Sequence, residues 1–211
     1  MYSVNKELII RSSSEAVDFA LLKDGKLIEL HKEQETSNFQ VGDIFIAKIR
    51  KPVAGLNAAF VNVGYEKDAF LHYHDLGPNL ASQLKFIKLV SAGKIKDFSL
   101  KNFQFEKEID KDGTITDVLN ANQSVLVQVV KEPISTKGPR ISAELSLAGR
   151  FIVLVPFSDR VSISQKIEDK KEKDRLKKLV QSIKPKGFGV IVRTVAEGKN
   201  TAELEKDLQN L

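Results

Sequence analysis

The stretch from Gly55 to Asp75 constrains the fold more strongly than any other part of the chain. Within it apolar side chains alternate with a second row of side chains, the two rows being Ala59, Val61, Val63 and Phe60, Asn62, Gly64. A period of two is that of a β-strand that buries one row and leaves the other on the wetter face. The sequence therefore predicts a strand that carries a large aromatic ring on its outer face.

A second ring follows after a predicted turn. Gly64-Tyr65-Glu66-Lys67 has the composition of a turn, and Ala69-Phe70-Leu71 is typical of the next strand. Phe70 can then stand beside Phe60 on the paired strand. Aromatic rings on a small basic barrel bind unpaired bases, whereas burial in the barrel core is the commoner fate of a phenylalanine in a strand. The residues alone leave both interpretations open.

Strand-like segments recur between Val41 and Leu145, at residues 44–49, 58–63, 69–71, 125–130 and 140–145. Five short strands with glycine at the bends predict a small β-barrel of the OB type. Residues 77–122 interrupt this pattern, and we expect them to form a surface loop with some helix or strand.

The pattern of residues 7–31 predicts two or three short strands, at residues 7–10, 16–22 and 26–30, with Asp24-Gly25 as a hairpin turn. This piece is too small to fold alone. Its apolar face must lie against something else, either the rest of this chain or a segment that is missing from it.

The pattern changes to mixed α and β after Gly149. Residues 151–155 and 189–194 predict strands, and residues 170–184 predict a helix. That helix has one apolar stripe, formed by Leu176, Leu179, Val180 and Ile183. Pro185 and Gly187 end it, and Asn200 with Glu203 forms a capping box for a last helix that carries Leu204, Leu208 and Leu211. The mixed charges of residues 170–175 predict an ordinary wet helix face.

Composition narrows the classes of function. The 211 residues suit one large or two small domains, and a net charge of +5 permits nucleic-acid binding without requiring it. Cysteine is absent, no apolar run reaches the roughly 20 residues of a membrane span, and the N-terminus has no apolar signal core. We therefore expect a cytoplasmic protein with no membrane partner.

Residues for catalysis or metal binding are few. No serine-histidine-acid, cysteine-histidine or phosphate-binding glycine motif is evident in the sequence. His72 and His74 have a spacing that could hold a metal from a strand, but no third histidine or cysteine accompanies them, so a solvated strand end is the better interpretation. We expect no catalytic residue and no metal site in this chain.

Seven segments, in this order along the chain, closely resemble the N-terminal half of the ribonuclease E/G family: Gly55 to Gly64, Ala69-Phe-Leu, Gln128-Val-Val-Lys-Glu, Lys137-Gly, Ser146-Leu-Ala-Gly, Phe151-Ile-Val-Leu-Val-Pro and Gly189-Val-Ile-Val-Arg-Thr-Val. The resemblance implies a mixed α/β and β fold in three parts. Residues 1–37 would be the N-terminal strands of an incomplete RNase H-like domain, residues 38–145 an S1-type OB-fold RNA-binding barrel with the long insertion 77–122, and residues 146–211 a small α/β 5′-sensor region.

The resemblance also implies site residues. Phe60, Phe70 and Lys137 match RNA-contacting positions of the S1 surface. Arg193 and Thr194 match the pocket that recognises a 5′-monophosphate, with Gly149 and Val153 at its edge. The alternative for Arg193 is a structural ion pair with a carboxylate such as that of Glu197. The chain departs from the family at Gln165-Lys166, where relatives commonly carry two arginines, so one cation is lost there.

By this resemblance the chain is the RNA-binding N-terminal region of an endoribonuclease that acts on single-stranded RNA and senses a 5′-monophosphate. The whole enzyme would be a Mg²⁺-dependent hydrolase and a homo-oligomer, with its Mg²⁺ ligands outside this chain, so the fragment should bind RNA without cutting it and without a cofactor of its own. Two alternatives remain: a non-catalytic S1-domain RNA-binding or ribosome-associated adaptor, and a barrel that serves only as an oligomerisation scaffold.

Overall fold

The computed structural model describes residues 5–13, 16–34, 39–96, 99–134 and 137–211. The chain divides into two compact units, Met1–Gln40 and Val41–Leu211. The domain boundary expected between residues 37 and 38 lies outside the described residues. None of the helices in the described ranges has the length and apolar character required to cross a membrane.

The first unit is an antiparallel sheet of three strands in the order β1-β2-β3. The strands are β1 (Lys6–Ser12), β2 (Ala16–Lys23) and β3 (Lys26–Gln34). The predicted hairpin turn is confirmed, since Asp24 and Gly25 both adopt positive φ angles, of 51° and 75°, as a tight two-residue turn requires. Leu8, Ile10 and Leu30 of this sheet are 61%, 57% and 64% exposed.

The second unit begins with the five-stranded barrel that the strand pattern predicts, and the barrel is closed in the order β4-β5-β6-β8-β7. Its strands are β4 (Ile44–Val53), β5 (Ala58–Asn62), β6 (Ala69–His72), β7 (Ser124–Lys131) and β8 (Arg140–Ser142). One row of side chains on each strand points into the barrel. The innermost side chains are completely buried, namely Ile49, Val61, Leu71, Val127 and Ile141.

Residues 77–122 are more than the surface loop predicted from their weak pattern. They contain helices α1 (Leu80–Ser91) and α2 (Ile115–Val118), so the expectation of some helix is confirmed. Leu80, Ile115 and Leu119 are at most 1% exposed. Gln83 of α1 is also buried, where its Nε2 donates to the Ala143 carbonyl at 3.0 Å and its Oε1 accepts the N–H of Leu126 at 3.2 Å. Polar bonding at a buried amide, rather than an apolar stripe alone, fixes this helix on the barrel.

A second sheet follows the barrel, in the order β11-β12-β10-β9. Its strands are β9 (Leu147–Ala148), β10 (Ile152–Pro156), β11 (Val161–Ile163) and β12 (Phe188–Val192). Helices α3 (Lys170–Ile183) and α4 (Thr201–Gln209) pack on this sheet. The predicted helices are confirmed, because Leu176, Val180 and Leu204 are buried in the shared core and the capping box of Asn200 and Glu203 is formed in both directions. The strands β9 and β11 escaped prediction because they are two and three residues long.

Candidate nucleic-acid interface

The two predicted rings meet on the outer face of the barrel. Antiparallel pairing of β5 with β6 places Phe60 directly opposite Phe70. Their ring centroids are 6.1 Å apart and their planes are inclined by 69°, an edge-to-face contact. Both rings are partly exposed, whereas the neighbouring Val61 and Leu71 are completely buried. The rings therefore lie outside the barrel core, with surface left to contact another molecule.

Two histidine rings extend this aromatic row. The ring of His72 lies 6.4 Å from that of Phe70, and the ring of His74 lies 5.0 Å from that of His72. The Nδ1 atom of His72 accepts the backbone N–H of His74 at 3.2 Å, so one potential metal-binding atom is engaged. Among the residues that the structure describes, no three histidine, cysteine or acidic side chains are grouped as metal ligands. The histidine pair is thus part of an aromatic surface in this structure.

Lys137 is exposed and lies beside the strand that carries Phe70. Its backbone N–H and carbonyl both bond to Ile134. The next residue must be glycine, since a Cβ at Gly138 would come within 2.3 Å of the carbonyl oxygen of Asp68. This close approach brings the chain against the start of β6, where Phe70 donates its N–H to the Pro139 carbonyl at 3.2 Å. The neighbouring Ser135 and Thr136 lie outside the described residues.

Two further cations of this face were missed by sequence reasoning. Lys51 is the cross-strand partner of Phe60, and Lys48 is the partner of Asn62. Both are exposed, and within the described ranges neither takes part in an ion pair. A bulge between Ile49 and Lys51 shifts the register of β4, which is why alternation alone did not identify the lysine beside the ring.

The second predicted site lies where β12 ends. Arg193 is exposed, its Nη1 donates to the Gly149 carbonyl at 2.8 Å, and its backbone N–H donates to the Phe151 carbonyl at 2.8 Å. The alternative ion pair with Glu197 is not observed, and no carboxylate of the described residues forms a salt bridge with Arg193. The outer edge of the guanidinium is therefore available to an anion.

Thr194 and Val153 complete the predicted set. Thr194 begins a short 3-10 helix, and its hydroxyl lies 2.9 Å from the Ser164 hydroxyl. Val153 is half-buried in the middle of β10, where it pairs with Ile191 of β12. Arg193 is thus hydrogen-bonded to Gly149 and is followed directly by Thr194. Val153 lies two residues after Phe151, whose carbonyl accepts the Arg193 backbone N–H.

Asp207 of α4 holds this site from behind, and nothing in the sequence had singled it out. Its carboxylate accepts three consecutive backbone N–H groups, from Arg150 at 2.9 Å, Phe151 at 2.8 Å and Ile152 at 3.0 Å. A Cβ at Gly149 would lie 2.6 Å from the Asp207 Oδ2 atom, so the carboxylate can approach only a glycine. The Asp207 carboxylate consequently requires glycine at position 149, whereas Arg193 bonds only the main-chain carbonyl of that residue.

A partly buried ion pair between Glu172 and Arg175 fixes the loop after Arg193. Glu172 accepts from Arg175 Nε at 2.6 Å and Nη2 at 2.7 Å, and from the Gly198 N–H at 2.8 Å. The hydrogen bonds from Arg175, with that from Gly198, lower the pKa of Glu172 from 4.5 to about 2. The same pair raises the pKa of Arg175, which also donates to the Lys199 carbonyl at 2.9 Å. The prediction of an ordinary wet face was wrong for Glu172, whose side chain is only 14% exposed, whereas the Arg175 side chain is 40% exposed.

Comparison with known proteins agrees with the resemblance in the sequence. Residues 146–211 match the model of the ribonuclease E/G family. The chain is 33% identical to ribonuclease G of Escherichia coli K12 over 201 residues, 95% of this chain and 37% of that protein. It is 32% identical to ribonuclease G of Haemophilus influenzae over 205 residues, 97% of this chain and 38% of that protein. It is 37% identical to ribonuclease E of Nostoc sp. PCC 7120 over 177 residues, 83% of this chain and 22% of that protein.

The resemblance to the ribonuclease E/G family is therefore confirmed, and the similarity is to both ribonuclease G and ribonuclease E. The chain spans less than two fifths of the length of these relatives, from 22% to 38%.

Proposed function

We propose that this chain is the RNA-binding region of a ribonuclease E/G-type endoribonuclease that processes single-stranded RNA and senses a 5′-monophosphate. The observation that carries the proposal is the pair Phe60 and Phe70, which stands outside a closed barrel core with exposed cations beside it. Similarity to proteins named ribonuclease G and ribonuclease E supports it.

The family resemblance gives each part of the chain a role in this proposal. Residues 38–145 form an S1-type RNA-binding domain, in agreement with a closed five-stranded barrel. Residues 146–211 form the 5′-sensor region, which is also the range that matches the family model. Residues 1–37 are the N-terminal strands of a split RNase H-like domain, and their exposed apolar side chains are consistent with an incomplete domain.

On the barrel face, unpaired bases stack on Phe60 and Phe70 while phosphates contact the lysines at the margin. Stacking on an aromatic ring contributes about 1–3 kcal/mol per base and tolerates any base, because every base has a π-face. Lys137 on one side and Lys51 on the other supply the sequence-independent attraction to the backbone.

At the second site, Arg193 and Thr194 bind the terminal phosphate. A guanidinium forms short, charge-assisted hydrogen bonds with phosphate oxygens, and the threonine hydroxyl adds a further donor. The Gly149 carbonyl orients the guanidinium through its Nη1, and the side chain of Val153 forms an apolar wall. A 5′-hydroxyl end offers no charge to this arginine, so it binds less tightly.

The family's chemistry is hydrolysis of a phosphodiester, for which a bound Mg²⁺ activates water and stabilises developing charge. The part of the chain that the structure describes has no group of three acidic or histidine side chains suited to such an ion. From the family resemblance we assign no catalytic step to this chain and propose that the Mg²⁺ ligands, and the contacts that make the whole cytoplasmic enzyme a homo-oligomer, lie elsewhere.

Binding is tested by fluorescence anisotropy of one labelled oligoribonucleotide prepared with a 5′-monophosphate and with a 5′-hydroxyl end. The chain should prefer the phosphorylated end, and Arg193→Ala should lower that preference by about 10-fold with little change for the hydroxyl form. The charge-matched control is Lys178→Gln on the exposed face of α3. Equal loss of both RNAs would show that Arg193 is structural, and no binding of either RNA would support the scaffold alternative.

Cleavage is tested by incubating the purified chain with the same RNA and Mg²⁺. We expect binding without cleavage. Cleavage by this chain, retained through repeated purification, would contradict the placement of the catalytic residues outside it.

A further inference from the structure

Arg150 is a cation next to the phosphate site to which no role has yet been given. Its side chain is exposed, and its guanidinium carbon lies 5.2 Å from the centre of the Phe151 ring. Its backbone N–H is fixed by the Asp207 carboxylate at 2.9 Å. A stacked guanidinium on a fixed backbone loses little conformational freedom when it binds an anion, since most of its freedom is already lost.

The charges around Arg150 leave it free for an external partner. Lys199 stacks on the same Phe151 ring, at 5.4 Å from its centre, and pairs with Glu203 at 2.9 Å. The pKa of the Glu203 carboxyl is lowered, chiefly by its hydrogen bond from Lys199 and to a smaller extent by the charge of Arg150. Asp207 is engaged by three backbone N–H groups. Within the described ranges the guanidinium of Arg150 forms no salt bridge. Arg150, Arg193 and Lys199 outnumber the two carboxylates Glu203 and Asp207, so this cluster carries a net positive charge.

Arg150 and Arg193 converge on one short segment of main chain. Arg193 bonds to the carbonyls of Gly149 and Phe151, and Arg150 is the residue between them. Arg193 is thus bonded to the residues on either side of Arg150, so two exposed arginines share this three-residue segment. Successive phosphates of a nucleic acid strand are spaced regularly along its backbone, so two neighbouring arginines suit two successive phosphates better than one isolated anion.

We propose that Arg150 binds the first phosphodiester of the RNA, the group that links nucleotides one and two. This inference rests on the proposed binding of the terminal phosphate by Arg193 and Thr194. The site then recognises a phosphorylated end together with the strand attached to it, and it discriminates against free mononucleotides.

The experiment compares three small ligands by isothermal titration calorimetry with the 211-residue chain. They are adenosine 5′-monophosphate, a 5′-monophosphorylated diadenosine, and the same dinucleotide with an uncharged methylphosphonate at its internal linkage. Arg150→Gln should weaken binding of the charged dinucleotide by about 5- to 10-fold, since one charge-assisted contact is lost, and should leave the other two ligands unchanged. Arg193→Ala should weaken all three, and Lys178→Gln should weaken none.

The variants separate the two proposals. Equal effects of Arg150→Gln on the charged and uncharged dinucleotides would overturn the role of Arg150. A specific effect of Arg150→Gln with no effect of Arg193→Ala would overturn the terminal-phosphate site on which it rests. Adenosine 5′-diphosphate is added as a further ligand; tighter binding of this ligand than of the charged dinucleotide would also overturn the role of Arg150, because Arg150 would then bind a second phosphate of the same nucleotide. Arg150→Lys keeps the charge and the stacked stem, so it should recover part of the affinity even if Arg150→Gln disturbs the fold.

Discussion

Replacing Asp207 by asparagine tests how far one carboxylate organises the proposed phosphate site. Oδ2 accepts the N–H groups of Phe151 and Ile152, and Oδ1 accepts that of Arg150. Asparagine keeps the shape but has one acceptor oxygen. With that oxygen on the two-bond side, its amide NH₂ faces the Arg150 N–H, so one bond is lost and two donors oppose each other.

The expected cost follows from these three bonds. A hydrogen bond to a charged group contributes about 1.5–3 kcal/mol, and its neutral counterpart is roughly half as strong. One bond lost and two weakened should lower the free energy of unfolding by about 2–4 kcal/mol. Urea denaturation followed by circular dichroism measures the change. Glu205→Gln, an exposed neutralisation on the same helix, should change stability by less than about 0.5 kcal/mol.

A second substitution shows whether the carboxylate itself causes the cost. Gly149→Ala should destabilise the parent chain, because its Cβ would lie 2.6 Å from Asp207 Oδ2. The same change should cost less in an Asp207→Ala background, where the opposing atoms are gone, so the two effects should not add. Additive effects, or a cost for Asp207→Asn no larger than that of Glu205→Gln, would refute the reasoning.

Three further predictions concern the barrel face and the ion pair of Glu172 with Arg175. Phe60→Ala and Phe70→Ala should each weaken binding of single-stranded RNA by about 5- to 100-fold in filter binding, with little loss of stability; wild-type affinity would refute stacking. Lys137→Gln and Lys51→Gln should each reduce the slope of log affinity against log salt by about 1, and an unchanged slope would place these lysines away from the phosphates. Glu172 has a folded pKa of about 2, below its ordinary 4.5, so its contribution is present above about pH 5 and is lost as the pH falls towards 2. Partial exposure of Arg175 limits that contribution to about 1–2 kcal/mol, and Glu172→Gln should flatten the acid limb of stability by that amount in denaturation curves from pH 6 to pH 2.

The barrel strands could be predicted because each has one buried row. Ala59, Val61 and Phe60 show why, since the period of two separates core from surface without further information. The capping box of Asn200 and Glu203 could also be predicted, because both residues lie within one helical turn and each side chain accepts the backbone N–H of the other residue.

Contacts between segments that are distant along the chain could not be predicted from the sequence pattern. Asp207 bonds residues more than 50 positions earlier, and the carboxylate has no local pattern that separates it from a wet helix residue. Glu172 and Arg175 lie in a run of mixed charges, and the hydrogen bond from Gly198 to Glu172 joins them to a segment 26 residues away. The position of Lys51 opposite Phe60 depends on a bulge in β4, which a strict alternation of side chains does not predict.

The inclination of 69° between the rings of Phe60 and Phe70 has a consequence for the RNA-binding role proposed for this face. Neighbouring bases in a duplex are nearly parallel, so a duplex cannot lay one base flat on each ring. A strand that uses both rings must turn sharply between them, which only a flexible backbone with unstacked bases allows. If the chain binds RNA as we propose, the angle between these two side chains would by itself favour an unpaired strand over a stiff duplex.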